Sequence, residues 1–239
     1  MKEHLSRIYR KSKKDYYELL NGWLEREERK FIVTVNPESL MMAKNDIELN
    51  TLLSDENTSL VPDGIAVVKA CRMGGLETEE RITGVEIAEY LLCELDRQKR
   101  SLYLFGARPE VIEKLKEVIK EKYPNIALVG CSDGYVSDKD KVFEEIASLK
   151  PDVCLVALGI PVQEKLIYKH LDKFEKGIFV GVGGSFDVIS GTKKRAPEFF
   201  IKCNLEWLYR IAKEPKRLKR FYNSNVKFIF AVKKEFKKG

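Results

Sequence analysis

The sequence is poor in the residues from which many catalytic and metal sites are made. It has two histidines, His4 and His170, so imidazole chemistry and histidine-bound metal have little to draw on. Its five cysteines (Cys71, Cys93, Cys131, Cys154 and Cys203) are scattered, odd in number and never spaced C-x-x-C. That argues against a disulfide framework or a zinc site and leaves reduced core thiols as the reading. No apolar run approaches the roughly 20 residues of a membrane span. Residues 1–30 are charged throughout and show no signal-peptide pattern. Internal repeats and low-complexity linkers are missing as well. A chain of 239 residues with these properties suits one large domain, or one domain plus an appendage.

A 44% hydrophobic fraction is enough for a buried core, and 33% charged residues are ordinary for a soluble cytosolic protein. The charge is unevenly spread. Residues 193–239 hold 15 Lys/Arg against 4 Asp/Glu, a net +11, while the remainder holds 28 against 33, a net −5. A basic tail on a mildly acidic body implies an anionic partner for the tail.

The pattern is organised around residues 31–64, FIVTVNPESLMMAKNDIELNTLLSDENTSLVPDG. Two apolar runs, 31–35 and 59–61, each end in polar turn residues, with Leu40, Met41, Ala43, Ile47, Leu49, Leu52 and Leu53 at helical spacing between them. This predicts strand, helix, strand. Before it, residues 3–29 read as one leading helix with a packed face. After it come a short helix at 65–70, a loop at 71–80 and a helix from 84 to about 97. Strands are then predicted at 101–105, 126–129, 152–158 and 178–182. They alternate with helices at 108–123, 139–149 (capped by Ser137 or Asp138) and from 163 to 170. Apolar strands alternating with amphipathic helices predict an α/β fold, a mostly parallel sheet flanked by helices.

Near Pro197 the alternation stops. Residues 199–213 and 216–238 read as helical, broken at Pro215, the second stretch apolar on one side and basic on the other. The expected division is a core, 1–195, and a basic amphipathic C-terminal helical appendage, 196–239. Such a helix lies on an anionic membrane or in a protein groove; packing on the body with solvated lysines is the alternative.

Ligands of open α/β sheets bind beyond the carboxyl ends of the strands, which nominates Thr34, Asn36 and Asp63. Asp63, after Pro62, is the candidate general base: a carboxylate within hydrogen-bond reach can take the proton of a sugar hydroxyl as it attacks. Thr34, Asn36 and Gln163 are candidates to orient sugar hydroxyls or an N-acetyl group. Arg81 stands at a helix start, where the dipole disfavours a cation, so an anion that it serves is expected. Arg81, Arg210, Arg217 and Arg220 are candidates to hold a diphosphate. Gly181-Val-Gly-Gly-Ser-Phe186 is not a true G-x-G-x-x-G and lies at the far end of the alternation, which weakens an NAD-dependent oxidoreductase reading. Asp138-Lys139-Asp140 forms a D-x-D string that helix capping also explains. The basic tail alone would suit nucleic acid, with binding that falls steeply with salt. That reading leaves the acidic body and the strand-end polar residues unexplained.

These residues lie in segments that resemble the WecG/TagA/CpsF family of bacterial glycosyltransferases, glycosyltransferase family 26. The segments are TVNPESLMMAKND (34–46), VPDGIAVV (61–68), ERITG (80–84), LFGARPEVIEKL (104–115), DVCLVALGIPVQE (152–164), GVGGSFDVISGTKKRAP (181–197) and LEWLYRIAKEPKRLKRF (205–221). The resemblance implies a Rossmann-like core and an inverting transfer of an N-acetylmannosamine-type sugar from a UDP donor to undecaprenyl-diphosphate-linked N-acetylglucosamine in teichoic acid or related cell-envelope polysaccharide synthesis, with N-acetylmannosaminuronic acid or glucose, for an exopolysaccharide, as the alternative donor sugars. Metal and other cofactors are not expected. It implies Asp63 as base, Arg81 as a catalytic arginine, and Thr34, Asn36 and Gln163 as substrate-binding. Asp187 and Tyr135, near Gly134, would contact UDP. Arg210, Arg217 and Arg220 would belong to an appendage that closes over the site, grips diphosphate and meets the inner face of the cell membrane. Dimers or trimers are compatible with the sequence. Ala66 stands where the family usually has a second glycine in P-D-G-x-G, Leu166 where it commonly has Trp, and the segment before Phe31 shows no clear match.

Overall fold

The computed structural model describes residues 1–203 and 205–236; within that range the side chains of residues 202, 210, 217 and 220 are outside the description. Six strands form one all-parallel sheet: β1 (Arg29–Val35), β2 (Thr58–Pro62), β3 (Ser101–Gly106), β4 (Ala127–Ser132), β5 (Val153–Ala157) and β6 (Gly177–Gly181). Their order is β2-β1-β6-β5-β3-β4. The four inner strands and β2 are almost wholly buried, whereas β4, at the edge, is half-exposed. Because successive side chains of a strand point to opposite faces, each strand feeds two cores. Phe31, Val33 and Val35 enter one, Ile32 the other.

The first face is covered by α1 (Lys2–Arg7), α3 (Pro37–Ala43), α4 (Ile47–Ser54), α5 (Ile65–Met73), α8 (Lys139–Leu149) and α9 (Val162–His170). The second is covered by α2 (Lys13–Glu25), α6 (Gly84–Gln98), α7 (Pro109–Lys122) and the short α10 (Ser185–Ile189). Local chemistry sets the helix starts. Ser12 and Asp15 form a capping box for α2, as do Thr83 and Glu86 for α6, and Asp138 rather than Ser137 caps α8.

Four stretches differ from the sequence-based expectation. The leading segment is two helices, not one, because Ser12 caps a second helix after a break at 8–12. The 37–54 stretch is likewise two, since the Asp46 side chain accepts from the Leu49 N–H and starts α4 afresh. The helix after Gly64 runs on to Met73, so the loop lies later, at 74–83. The fourth stretch is 199–213, which forms two helices, α11 (Glu198–Lys202) and α12 (Glu206–Lys213), in place of one. The chain continues as α13 (Arg217–Phe221), a π-helical turn (Tyr222–Val226) and α14 (Lys227–Phe236). Phe228 and Val232 of α14 are buried in the first-face core. Leu218, Tyr222, Ile229 and Phe230 remain exposed.

The amino edge of the sheet is stapled by one carboxylate. Asp152 Oδ2 accepts from Ser101 N (2.8 Å) and Ser101 Oγ (2.6 Å), and its Oδ1 accepts from Lys176 Nζ (3.0 Å), tying the starts of β3, β5 and β6. Burial opposes ionisation here, but those hydrogen bonds outweigh it and hold the carboxyl below its usual range. Asp152→Ala should therefore cost about 1–3 kcal/mol in urea unfolding near neutral pH with kcat unchanged. Since the folded pKa is the depressed one, the cost should be full above the ordinary value of 3.8 and fade as the pH falls below it.

Candidate functional site

The helices after β1 lie on the first face and the helix after β6 on the second, yet β1 and β6 are neighbours. Their carboxyl ends therefore flank a crevice of the kind in which α/β proteins bind ligands. Thr34, buried, donates from Oγ1 to the Gly181 carbonyl (3.4 Å) across this seam. Gly84, the first residue of α6, backs onto it: a Cβ there would lie 3.6 Å from Thr34 Oγ1 and 3.5 Å from Ser185 Oγ.

Backbone bonds extend the order past the strand ends. Asp63 N–H donates to Val35 O (2.8 Å), and Ile82 N–H donates to Pro62 O (2.9 Å). The first aligns half-buried Asp63 with the end of β1. The second lays the 74–83 segment across the end of β2 as it passes between faces. Ile82 is fully buried and Thr83 caps α6, so Arg81 projects from an anchored strip. Its Nη2 lies 3.4 Å from Glu206 Oε2 of α12, with both side chains largely buried. In this structure the anionic group beside Arg81 is a carboxylate of the C-terminal segment. The side chains of Arg210, Arg217 and Arg220 lie outside the described residues.

Two nominated residues have structural work. Asn36 is the N-cap of α3: its Oδ1 accepts from Glu38 N (2.9 Å) and Ser39 N (3.0 Å), leaving the amide nitrogen as its available donor. Gln163 is 2% exposed. Its Oε1 accepts from Gly159 N and Gly183 N (3.1 Å each), and its Nε2 donates to Glu164 Oε1 (2.8 Å). This explains glycine at 181, where an added Cβ would come within 2.6 Å of Gln163 Nε2. Glu164 is also buried, which pushes its carboxyl above the usual 4.5 although the Gln163 bond opposes this.

Asp187 and Tyr135 lie on the α10 and β4–α8 sides of the carboxyl edge. Asp187 Oδ1 faces Arg108 Nη2 (3.6 Å) and Lys193 Nζ (3.8 Å). Tyr135 is 72% exposed, its N–H donating to Asp133 Oδ1 (2.7 Å). Arg108 and Lys193 escaped the sequence reading. Arg108 carries the signal that singled out Arg81, a cation at the start of a helix. In the D-x-D string, Asp138 caps α8 and Asp140 accepts from Lys169 Nζ (2.7 Å) and meets His170 Nε2 (2.6 Å). Among the described residues no group of three or more His, Cys, Asp or Glu side chains is gathered to hold a metal ion, and no helix is long and apolar enough to cross a membrane.

A family model described as "Glycosyl transferase WecG/TagA/CpsF family" matches residues 5–239, including the leading segment that shows no clear match by motif. An N-acetylglucosaminyldiphosphoundecaprenol N-acetyl-beta-D-mannosaminyltransferase of Bacillus subtilis (strain 168) is 42% identical over 206 residues, 86% of this chain and 80% of the relative. Proteins of the same name are 40% identical in Bacillus spizizenii (89% and 82% covered) and 35% identical in Staphylococcus aureus strain MW2 (87% and 81%).

Two outcomes follow from this geometry. Arg81→Ala removes the pair to Glu206, so trypsin should cleave within 193–217 about threefold to tenfold faster; equal rates would mean that other contacts hold α12. Glu164 keeps its proton in the folded protein to a higher pH than in the unfolded chain. Its contribution to stability is thus full below the ordinary 4.5 and is lost as the pH rises through the folded value. Glu164→Gln does not titrate, so its Tm relative to the parent should rise as the pH is taken upward from the ordinary 4.5. A constant difference would mean that Glu164 titrates as an exposed carboxylate does.

Proposed function

The chain belongs to the WecG/TagA/CpsF family of glycosyltransferases, and from that premise we propose that it makes the N-acetylmannosaminyl-β-1,4-N-acetylglucosamine linkage unit on undecaprenyl diphosphate. It is a hexosyltransferase. The donor is UDP-N-acetylmannosamine, the acceptor is undecaprenyl-diphosphate-linked N-acetylglucosamine, and the product serves teichoic acid or a related cell-envelope polymer. The observation that carries the reading is 42% identity over 86% of the chain to a relative bearing that activity in its name.

The proposed chemistry is a single displacement. Asp63 takes the proton of the acceptor hydroxyl as its oxygen attacks the anomeric carbon from the face opposite UDP. The new C–O bond forms, the bond to the β-phosphate oxygen breaks, and the electron pair leaves with UDP. Arg81, with Arg210, Arg217 and Arg220, offsets the charge that grows on the diphosphate. What supports this is the backbone bonding that aligns Asp63 with β1 and sets the Arg81 strip against β2. Thr34, Asn36 and Gln163 order the sugar side of the crevice, Thr34 and Gln163 through the backbone that they hold. Asp187 and Tyr135 serve the nucleotide.

Residues 1–195 act as the catalytic core. The 196–239 appendage covers the site and rests on the inner face of the membrane, where the lipid-linked acceptor is found. The +11 charge of 193–239 and the exposed Leu218, Tyr222 and Phe230 support that last assignment.

Incubation with UDP-N-acetylmannosamine and a lipid-diphosphate N-acetylglucosamine analogue should release UDP only when the acceptor is present. Asp63→Asn should lower kcat by about 10²–10⁴. A loss under about threefold would remove Asp63 from the role of base. Release from another UDP-sugar in place of this one would change the donor and keep the reaction.

A further inference from the structure

Gln163 and Glu164 are adjacent in sequence, and both are buried, at 2% and 1% exposure, where β5 and β6 end. A single amide oxygen joins the two strand ends, since Gln163 Oε1 accepts from Gly159 N past β5 and from Gly183 N past β6. Both glycines have positive φ, +80° and +50°, where a chain gains little from local preference and an outside bond must hold it. The orientation of the amide is then critical. Turned over, it would set an NH2 group against two N–H donors and an oxygen against a carboxyl oxygen. Glu164 Oε1, accepting from Gln163 Nε2 at 2.8 Å, gives the NH2 group a partner in the observed orientation and so favours it.

Glu164 is not there for packing. Its Oε2 is buried without a hydrogen-bond partner, and an apolar side chain of similar size would avoid that cost. Gly181 completes the arrangement, for a Cβ there would also come within 3.2 Å of Glu164 Oε1. Thr34 bonds the carbonyl of this same Gly181 from β1, so the clamp borders the β1–β6 crevice directly.

We propose that Glu164 is a positioning residue for the transfer reaction: it fixes the Gln163 amide so that one oxygen holds the Gly159 and Gly183 turns together beside the crevice. The kinetic consequence rests on the transferase reading above; the clamp does not. The test joins amide hydrogen exchange at Gly159 and Gly183 to UDP-release kinetics in the full chain. Glu164→Leu fills the volume but accepts no hydrogen bond. Both amides should exchange about tenfold faster or more, and kcat/KM should fall about tenfold or more. Glu164→Gln retains an acceptor and should remain within about threefold of the parent in both readouts. If Glu164→Leu does not fold, Gly181→Ala takes its place, because its added carbon unseats the Gln163 amide with Glu164 intact, and the same two changes are expected.

Unchanged exchange in Glu164→Leu or Gly181→Ala would overturn the clamp. So would a Glu164→Gln variant as impaired as Glu164→Leu, which would make the carboxylate charge the requirement. Faster exchange with unaltered kinetics would overturn the positioning role. A parent protein that releases no UDP from any UDP-sugar would sink the transferase reading, and the exchange data would still decide the clamp.

Discussion

Six strands running in one direction share one carboxyl edge. No parallel strand can be reached by a hairpin, so every connection must leave that edge, cover a face and return from the other side. Residues that end strands, far apart in sequence, are thereby gathered on one rim: Thr34, Asp63, Ala107, Gly159 and Gly183 all follow or finish a strand. The reversal of helix side between β1 and β6 opens that rim into a crevice. Nearly everything proposed about the site depends on this constraint.

The two edges of the sheet are built to different ends. At the amino edge, Asp152 satisfies Ser101 and Lys176 and lies beside Arg100 at 3.6 Å, a closed group that joins three strand starts. At the carboxyl edge the backbone is glycine-rich and is held by side chains from elsewhere, Gln163 above all. The carboxylate at the amino edge has its pKa lowered, and the one beneath the carboxyl edge has its pKa raised. The difference is one of partners: several donors converge on Asp152, whereas Glu164 receives one amide and leaves an oxygen bare.

The C-terminal segment belongs to both parts of the molecule. Phe228 and Val232 fill the first-face core, and Phe236 packs against it. Upstream, Glu206 reaches Arg81 on the strip that crosses the end of β2, while Leu218, Tyr222 and Phe230 face outward. One basic amphipathic stretch thus supplies core packing, a contact to the candidate site and an exposed apolar surface. The body-packed reading accounts for Phe228 and Val232, and the exposed residues of the same helices are those that the proposed membrane contact would use.

The sequence by itself determined the fold class, the strands and most helices, because alternating apolar strands and amphipathic helices leave few other solutions. It also determined the family, through seven segments in order, and the strand-end candidates Thr34 and Asp63. It misjudged the leading segment and 37–54 as single helices, since the caps at Ser12 and Asp46 act over one turn and interrupt helical spacing very little. The Asn36 cap of α3 is local, reaching only Glu38 N and Ser39 N. Only the tertiary structure decided that Gln163 ties two glycine turns, that Arg81 meets Glu206 and that Arg108 stands beside Asp187. Each of these depends on which strand ends become neighbours. The order β2-β1-β6-β5-β3-β4 is set by packing across the whole sheet, so no local pattern records it.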